Sequence, residues 1–302
     1  MGGELVAQFP PARVALARAG ELAGIDLAAL VAHGPDEALT RTDALQPALT
    51  AVTIGCCLYL QESGLRPDFV AGHSLGEYAA LFAADVIGLD DALRLTVARG
   101  RLMHEAACSL DGGMLAVSEL PVAQVSAVLA DLPDVTLANH NAATQVAVCG
   151  PRSALPAAAA ALTAAGARVV SLNVSGPWHS PLLAPAADRF AEMLAAMVFA
   201  DAAVPVAMNT TGTLLQSGPD IRQAMLRQLC SPVQWHAAMR ALAAAGVTQF
   251  VEVGPKKVLR GLLRHTPEVA ACDAVNFDGP RALRFVQRLG AAPAQPRGAR
   301  VA

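Results

Sequence analysis

Apolar residues recur at three- and four-residue spacing over long stretches of the chain, and short β-prone runs separate those stretches. The spacing predicts a helix from Phe9 to Ala23, with Pro10 and Pro11 in a first turn that needs no backbone N–H from them. A longer helix is predicted from Asp43 to Ser63. Arg66-Pro67-Asp68 breaks the pattern, and Phe69-Val70-Ala71 reads as a short buried strand. Leu75 to Ala84 is helical again, and a further helix, with Asp90 as N-cap, reaches about Cys108.

The pattern changes at Asp111-Gly112-Gly113. A strand (Met114 to Ser118), a helix (Pro121 to Ala130) and two strands (Val135 to Ala138, Gln145 to Cys149) follow. A helix (Arg152 to Ala165) and a last strand (Arg168 to Asn173) complete the series. This βαββαβ order is the ferredoxin-like arrangement, and it fits an insertion over residues 112–176. The larger pattern resumes after Pro177, with helices at Pro181 to Met197, Asp220 to Leu229 and Pro232 to Ala245. A strand from Val247 to Val253 and a helix from Val258 to Arg264 come next. The large unit therefore comprises residues 1–111 and 177–290, and the Pro-, Gly- and Ala-rich segment 291–302 reads as a flexible tail. Alternating helices and strands make this an α/β protein.

Composition narrows the function. Of 302 residues, 54% are hydrophobic and 16% charged, enough apolar material for a large core. A net charge of −3 argues against a nucleic-acid binder, which needs basic clusters. No uninterrupted apolar run of about 18 residues appears, so no membrane span is expected, and the N-terminus has no secretory pattern. The six cysteines are scattered without a CxxC pair, so no metal site is expected and a reducing cytoplasm fits.

Gly72-His73-Ser74-Leu75-Gly76 matches G-x-S-x-G between a predicted strand and a predicted helix, the context of a nucleophile elbow. The alternative is a tight strand–helix turn with a capping serine. In the elbow reading the backbone N–H of Leu75, at the positive end of a helix, stabilises an oxyanion. A serine hydroxyl needs a base. His33, His104, His236 and His265 lie in or near helices, His73 adjoins the serine and should point away from it, and His140 lies in the insertion. His179 stands in Ser175-Gly176-Pro177-Trp178-His179-Ser180, where the chain re-enters the large unit and would face a cleft between domains.

Ordered motifs extend this reading. Besides the elbow with Glu77-Tyr78 and the His179 segment, they are Ala98-Arg99-Gly100-Arg101-Leu102-Met103, Asn139-His140-Asn141, Pro232-Val233-Gln234-Trp235 and Glu252-Val253-Gly254-Pro255. The set resembles the malonyl-CoA:acyl carrier protein transacylases and the acyltransferase domains of polyketide synthases, over roughly residues 4 to 290. The resemblance implies an α/β-hydrolase-like large domain with a ferredoxin-like insertion. It implies Ser74 as nucleophile, His179 as general base and acid, and a backbone carbonyl near Gln234 that orients the histidine. Arg99 would bind the free carboxylate of malonate through its planar guanidinium; without the resemblance it would read as a helix-surface arginine. Asn139, Asn141 and Gln145 would lie near the thioester arm, or serve a local turn. The partners implied are malonyl-CoA and acyl carrier protein, with no cofactor, no nucleic acid and no membrane, for a chain acting as a monomer.

Two departures accompany the resemblance. The family's opening strand and Phe-Pro-Gly-Gln-Gly loop, the source of a second oxyanion donor, have no counterpart before Leu5. Met1 is therefore expected to be an internal methionine of a longer natural protein. Lys256-Lys257 also stands where the family usually has glycine before a single lysine. The other readings are an acyl-carrier-protein hydrolase and a catalytically impaired remnant that still binds the carrier. Lys256, Arg260 and Arg264, at i, i+4 and i+8, are candidates for steering an acidic carrier, the alternative being a solvated helix face.

Overall fold

A computed structural model describes residues 1–291, so most of the expected tail lies outside the described residues. The elements in order are α1 (Gly3–Gln8), α2 (Pro10–Ala23), α3 (Leu27–His33), α4 (Asp36–Thr40), α5 (Thr42–Glu62), β1 (Val70–Ala71), α6 (Gly76–Ala83) and α7 (Leu89–Ser109). The insertion follows as β2 (Gly112–Ser118), α8 (Val122–Leu129), β3 (Thr136–Ala142), β4 (Gln145–Pro151), α9 (Leu155–Ala164) and β5 (Arg168–Ser171). The return contains α10 (Ala184–Ala195), β6 (Val206–Ala207), β7 (Leu214–Leu215), α11 (Gly218–Leu226) and α12 (Trp235–Ala244). It ends with β8 (Gln249–Val253), α13 (Val258–Leu263), β9 (Asp273–Phe277) and α14 (Leu283–Ala291).

Helices α2, α5 and α7 form the scaffold that carries the site. α5 is long and apolar enough to cross a membrane, and here it is a core helix, more than half of its apolar window being buried. Its close approach to α2 depends on Gly55, where a Cβ would stand 2.6 Å from that of Ala12. α7 begins one residue before the predicted cap. Gly88 is the N-cap and Leu89 packs against two of the apolar clusters. Asp90 instead lies in the first turn, where its carboxylate accepts from Arg18 of α2 and, at 2.7 Å, from Arg94.

The insertion is a four-stranded antiparallel sheet in the order β3-β4-β2-β5, with α8 and α9 covering an apolar face built on Val117, Val125, Val148 and Leu162. This is the ferredoxin-like order. β3 carries register shifts between Leu137 and Asn139 and between His140 and Ala142. Such irregularities bend a strand and re-aim its side chains. β3 uses its outer edge to meet the large domain: His140 N–H donates to Val233 O at 2.8 Å, and Val233 N–H donates to Ala138 O at 2.9 Å.

The large domain holds two small sheets. β1 runs parallel to β6, which pairs with β7, and β8 runs parallel to β9. Among the described residues no ladder joins the two sheets. The helix predicted from Pro181 to Met197 is a 3-10 turn (Pro181–Leu183) followed by the shorter α10. α13 starts at Val258, so Lys256 precedes the helix and does not share a face with Arg260 and Arg264. The carboxylate of Glu252 receives the N–H groups of Leu259 and Arg260 at 2.9 and 2.8 Å, which fixes where the helix begins.

Candidate active site

The turn from β1 to α6 places Ser74 at φ 51°, in the left-handed region that a residue with a side chain seldom adopts. Gly72 makes the turn possible: a Cβ there would run into the backbone of Gly76 and Glu77. Asn209 clamps the strained segment from both ends. Its Oδ1 accepts from Ser74 N–H, and its Nδ2 donates to Gly72 O, each at 2.6 Å. Leu75 follows as the cap of α6, with its N–H among the first of the helix, which have no intrahelical acceptor.

His179 also has positive φ, at 60°, and is 4% exposed. Its Nε2 lies 2.7 Å from Ser74 Oγ, and its Nδ1 lies 3.0 Å from the backbone oxygen of Gln228. A carbonyl can only accept, so Nδ1 carries the proton and Nε2 presents its lone pair to the hydroxyl. Burial, reinforced by the nearby positive charge of Arg99, pushes the imidazole down to about 3, so it rests neutral. Both strained residues, Ser74 and His179, meet at one hydrogen bond, as strain gathered at a functional site would.

The orienting carbonyl belongs to Gln228, not to Gln234. The carbonyl of Gln234 accepts from Ala238 N–H at 3.0 Å as part of the opening turn of α12, and its N–H goes to Asn209 O. A helix start claims the Gln234 carbonyl, whereas Gln228 lies just past the end of α11, with its carbonyl free to turn to the histidine.

Arg99 is 1% exposed and so is not a surface arginine. Its three contacts are neutral acceptors: Gln46 Oε1 at 2.7 Å, Gln228 Oε1 at 3.2 Å and Ser74 Oγ at 3.0 Å. A buried guanidinium without a carboxylate against it, and with one donor on the serine oxygen, is arranged to receive an anion at that oxygen. Gln46 is itself fixed by a 2.7 Å bond to Thr42 Oγ1.

From the insertion, Asn141 reaches the elbow: its Oδ1 accepts from His73 Nε2 at 2.8 Å, which ties His73 to β3. Asn139 is 8% exposed and holds the β3 position bridged to Val233. Gln145 opens β4 opposite Ser118 and Ala142, a ladder position. Of the paired thiols, Cys56 is buried, and burial pushes Cys57 up to about 12. A surface cavity of about 530 Å³ lined by Arg94, Arg101, Glu105 and Arg189 touches none of the site residues.

Sequence reasoning did not single out Gln228, Asn209 or Gln46, and quoted Glu77 without a role. Asn209 and Gln228 carry no motif, and only the buried polar contacts reveal them.

Known proteins resemble this chain over most of its length. Residues 1–276 match the acyl transferase domain family. The chain is 39% identical over 281 residues to the malonyl CoA-acyl carrier protein transacylase of Salmonella typhimurium, with 91% of each chain covered. Among solved structures, an acyl carrier protein S-malonyltransferase from Vibrio cholerae superposes with a TM-score of 0.89 at 36% identity, covering 95% of this chain and 94% of that one. A type II PKS acyl carrier protein in complex with its malonyl-transacylase gives a TM-score of 0.90 at 36% identity, with the same coverage.

Proposed function

This chain belongs to the acyl transferase domain family, and we propose that Ser74 is its nucleophile, His179 its general base and acid, and Arg99 its carboxylate anchor. The reaction is transfer of a malonyl group from malonyl-CoA to the phosphopantetheine thiol of acyl carrier protein, in fatty acid or polyketide synthesis.

The steps follow from the geometry. His179 Nε2 takes the proton as Ser74 Oγ attacks the thioester carbonyl, and Leu75 N–H supports the oxyanion. The oxyanion collapses, the C–S bond breaks, and the proton passes from His179 to the departing CoA thiolate. The malonyl ester stays on Ser74, its free carboxylate held by Arg99. In the second half, His179 takes the proton of the carrier's thiol, the thiolate attacks the ester, and Ser74 leaves with the proton restored. Every step moves an acyl group or a proton through these side chains, so the proposal invokes no bound metal or organic cofactor.

Arg99 also tunes the base. Its charge is one cause of the low basicity of His179. An arriving malonyl carboxylate neutralises that charge and raises the basicity of His179 when the substrate is in place. A neutral acyl group does not, which argues for malonate over acetate and against a hydrolase of neutral acyl groups.

The single observation that carries this reading is Ser74 Oγ, 2.7 Å from a neutral imidazole nitrogen and 3.0 Å from a buried arginine. All groups come from one chain, which supports a monomer, and six free thiols fit a cytoplasmic setting. The test is transfer of radiolabelled malonate from malonyl-CoA, with and without acyl carrier protein, and mass spectrometry of the intermediate. Label should reach the carrier through an adduct on Ser74. An adduct on a cysteine, or release of free malonate at the same rate without carrier, would refute it.

A further inference from the structure

Glu77 is a fully buried carboxylate that the steps above do not use. It lies on α6, one turn beyond the nucleophile, and both of its oxygens accept from N–H groups. Oε1 receives Asn209 N–H at 2.7 Å, and Oε2 receives Gln228 Nε2 at 2.6 Å. Each partner holds a different side of the site. The Asn209 side chain clamps Gly72 and Ser74. Gln228 donates to Ser74 O at 3.0 Å, accepts from Arg99 Nε, and lends its backbone oxygen to His179. Nucleophile, base and carboxylate anchor thus converge, through two residues, on one side chain.

We propose that Glu77 is the positioning residue of this site, its ionised carboxylate holding Asn209 and Gln228 so that Ser74, His179 and Arg99 meet in register. The inference rests on the acyl-transfer reading of Ser74 and His179. Glu77 touches neither substrate nor reacting atom, so its effect is on the geometry of the turnover step.

The hydrogen bonding favours the anion. Both partners are donors, and a protonated oxygen of Glu77 would be a weaker acceptor for its N–H. The charged and titratable groups around it are few. Arg99 on α7 supplies the cation, Tyr78 is its neighbour on α6, and Asn209 and Gln228 are neutral. Burial pushes the carboxyl up to about 7, against the pull of its hydrogen bonds and of Arg99. The substrate raises the basicity of His179 as well, so an acid loss of turnover is assigned to Glu77 by its disappearance when residue 77 cannot ionise.

The experiment measures malonyl transfer to acyl carrier protein from pH 5 to 9 for the native chain and for Glu77→Gln, with thermal melting to verify folding. The native kcat should fall below about pH 7. Glu77→Gln places an amide donor against a donor, so its kcat should drop roughly 10- to 100-fold, with KM within about threefold. Its profile should lose the limb near pH 7. Glu77→Asp should recover part of the rate that Glu77→Ala lacks. If Glu77→Gln keeps the native rate and the native limb, the inference is wrong. Should the variants not fold, a carbon-13 titration of the glutamate carboxyls in the native chain decides. A Glu77 carboxyl that is ionised wherever kcat is full supports it, and one still protonated at the pH of full kcat overturns it. A native chain that forms no malonyl-Ser74 adduct would instead refute the parent reading, which separates the two failures.

Discussion

Two regions of this molecule bury polar side chains at a junction, and they treat them differently. Around Ser74, Asn209, Gln228, Glu77, Arg99 and His179 are joined to it or to one another by bonds of 2.6 to 3.2 Å. Where β3 of the insertion meets α12, the rings of His140 and His236 stand edge to face at 4.9 Å. There the Nε2 atoms of both, and Nε1 of Trp235, are buried without a hydrogen-bond partner. Glu268 is 3.9 Å from His236, too far for a hydrogen bond. A network with every member satisfied has one arrangement, whereas unpartnered groups leave room for adjustment. Ser74 and His179 sit in the first kind of region, and the second lies beside the backbone bridge between β3 and Val233.

The largest break in this contrast comes from the site. Ser74→Ala should abolish the acyl-enzyme and cost at least ~10³-fold in transfer rate, read as loss of the malonyl adduct by mass spectrometry. Native melting should persist, because the clamp on the elbow uses the backbone of Ser74. Arg99→Ala removes the cation that three acceptors were placed to hold. It should cost about 2–5 kcal/mol in malonyl transfer while sparing or favouring acetyl transfer. Comparing kcat/KM for the two donors settles it, since equal losses would make Arg99 structural.

Acid should act on both regions at once. His73, His140, His179 and His236 are all held below the ordinary histidine value near 6.5, chiefly by burial. The unfolded chain therefore binds protons that the folded chain refuses. Stability is fully present above about pH 6.5 and is lost as pH falls from there toward the lower folded values. Glu77 has the opposite sign. Its raised folded value favours the fold below the unfolded carboxylate range, and that contribution is lost as pH rises through about 7. Melting temperatures between pH 8 and 5 should fall with acid. His140→Phe, which cannot ionise, should flatten the slope, and Glu77→Gln should steepen it. A flat native profile whose slope neither variant changes would contradict both signs.

The smallest effect lies outside both regions. Lys256 adopts φ 75°, and its carbonyl accepts from Asn276 Nδ2 at 2.9 Å. Lys256→Gly relieves the left-handed strain but frees the unfolded chain, for a net gain of roughly 0.5–1 kcal/mol in chemical denaturation. Malonyl transfer should not change.

How far the chain could be read from its sequence follows the range of each interaction. The elbow was legible because its causes are local: glycines at fixed spacing, a strand before and a helix after. The insertion was legible because β2 to β5 and their helices have period and length. The strands β6 and β7, two residues each, are too short to show alternation, and β9 with α14 went unread as well. Gln228 was misread as Gln234 for a different reason. Which of two nearby carbonyls reaches His179 depends on where α11 ends and α12 begins, a matter of packing between distant segments. Glu77, Asn209 and Gln46 are ordinary polar letters until the fold brings them under Ser74 and Arg99.

The bridge from β3 to Val233 also bears on self-association. A four-stranded sheet presents two edges, each a row of unpaired donors and acceptors able to recruit a strand from another molecule. Here the large domain stitches the β3 edge at its middle, so among the described residues β5 is the open side of the small sheet. That side is four residues long and mostly exposed, with Arg168 at its start and Ser171 at its end, although Val170 stands 51% bare. Brevity and a charge guard one border, while the backbone bridge to Val233 guards the other. Neither edge of the small sheet thus offers a long template for aggregation.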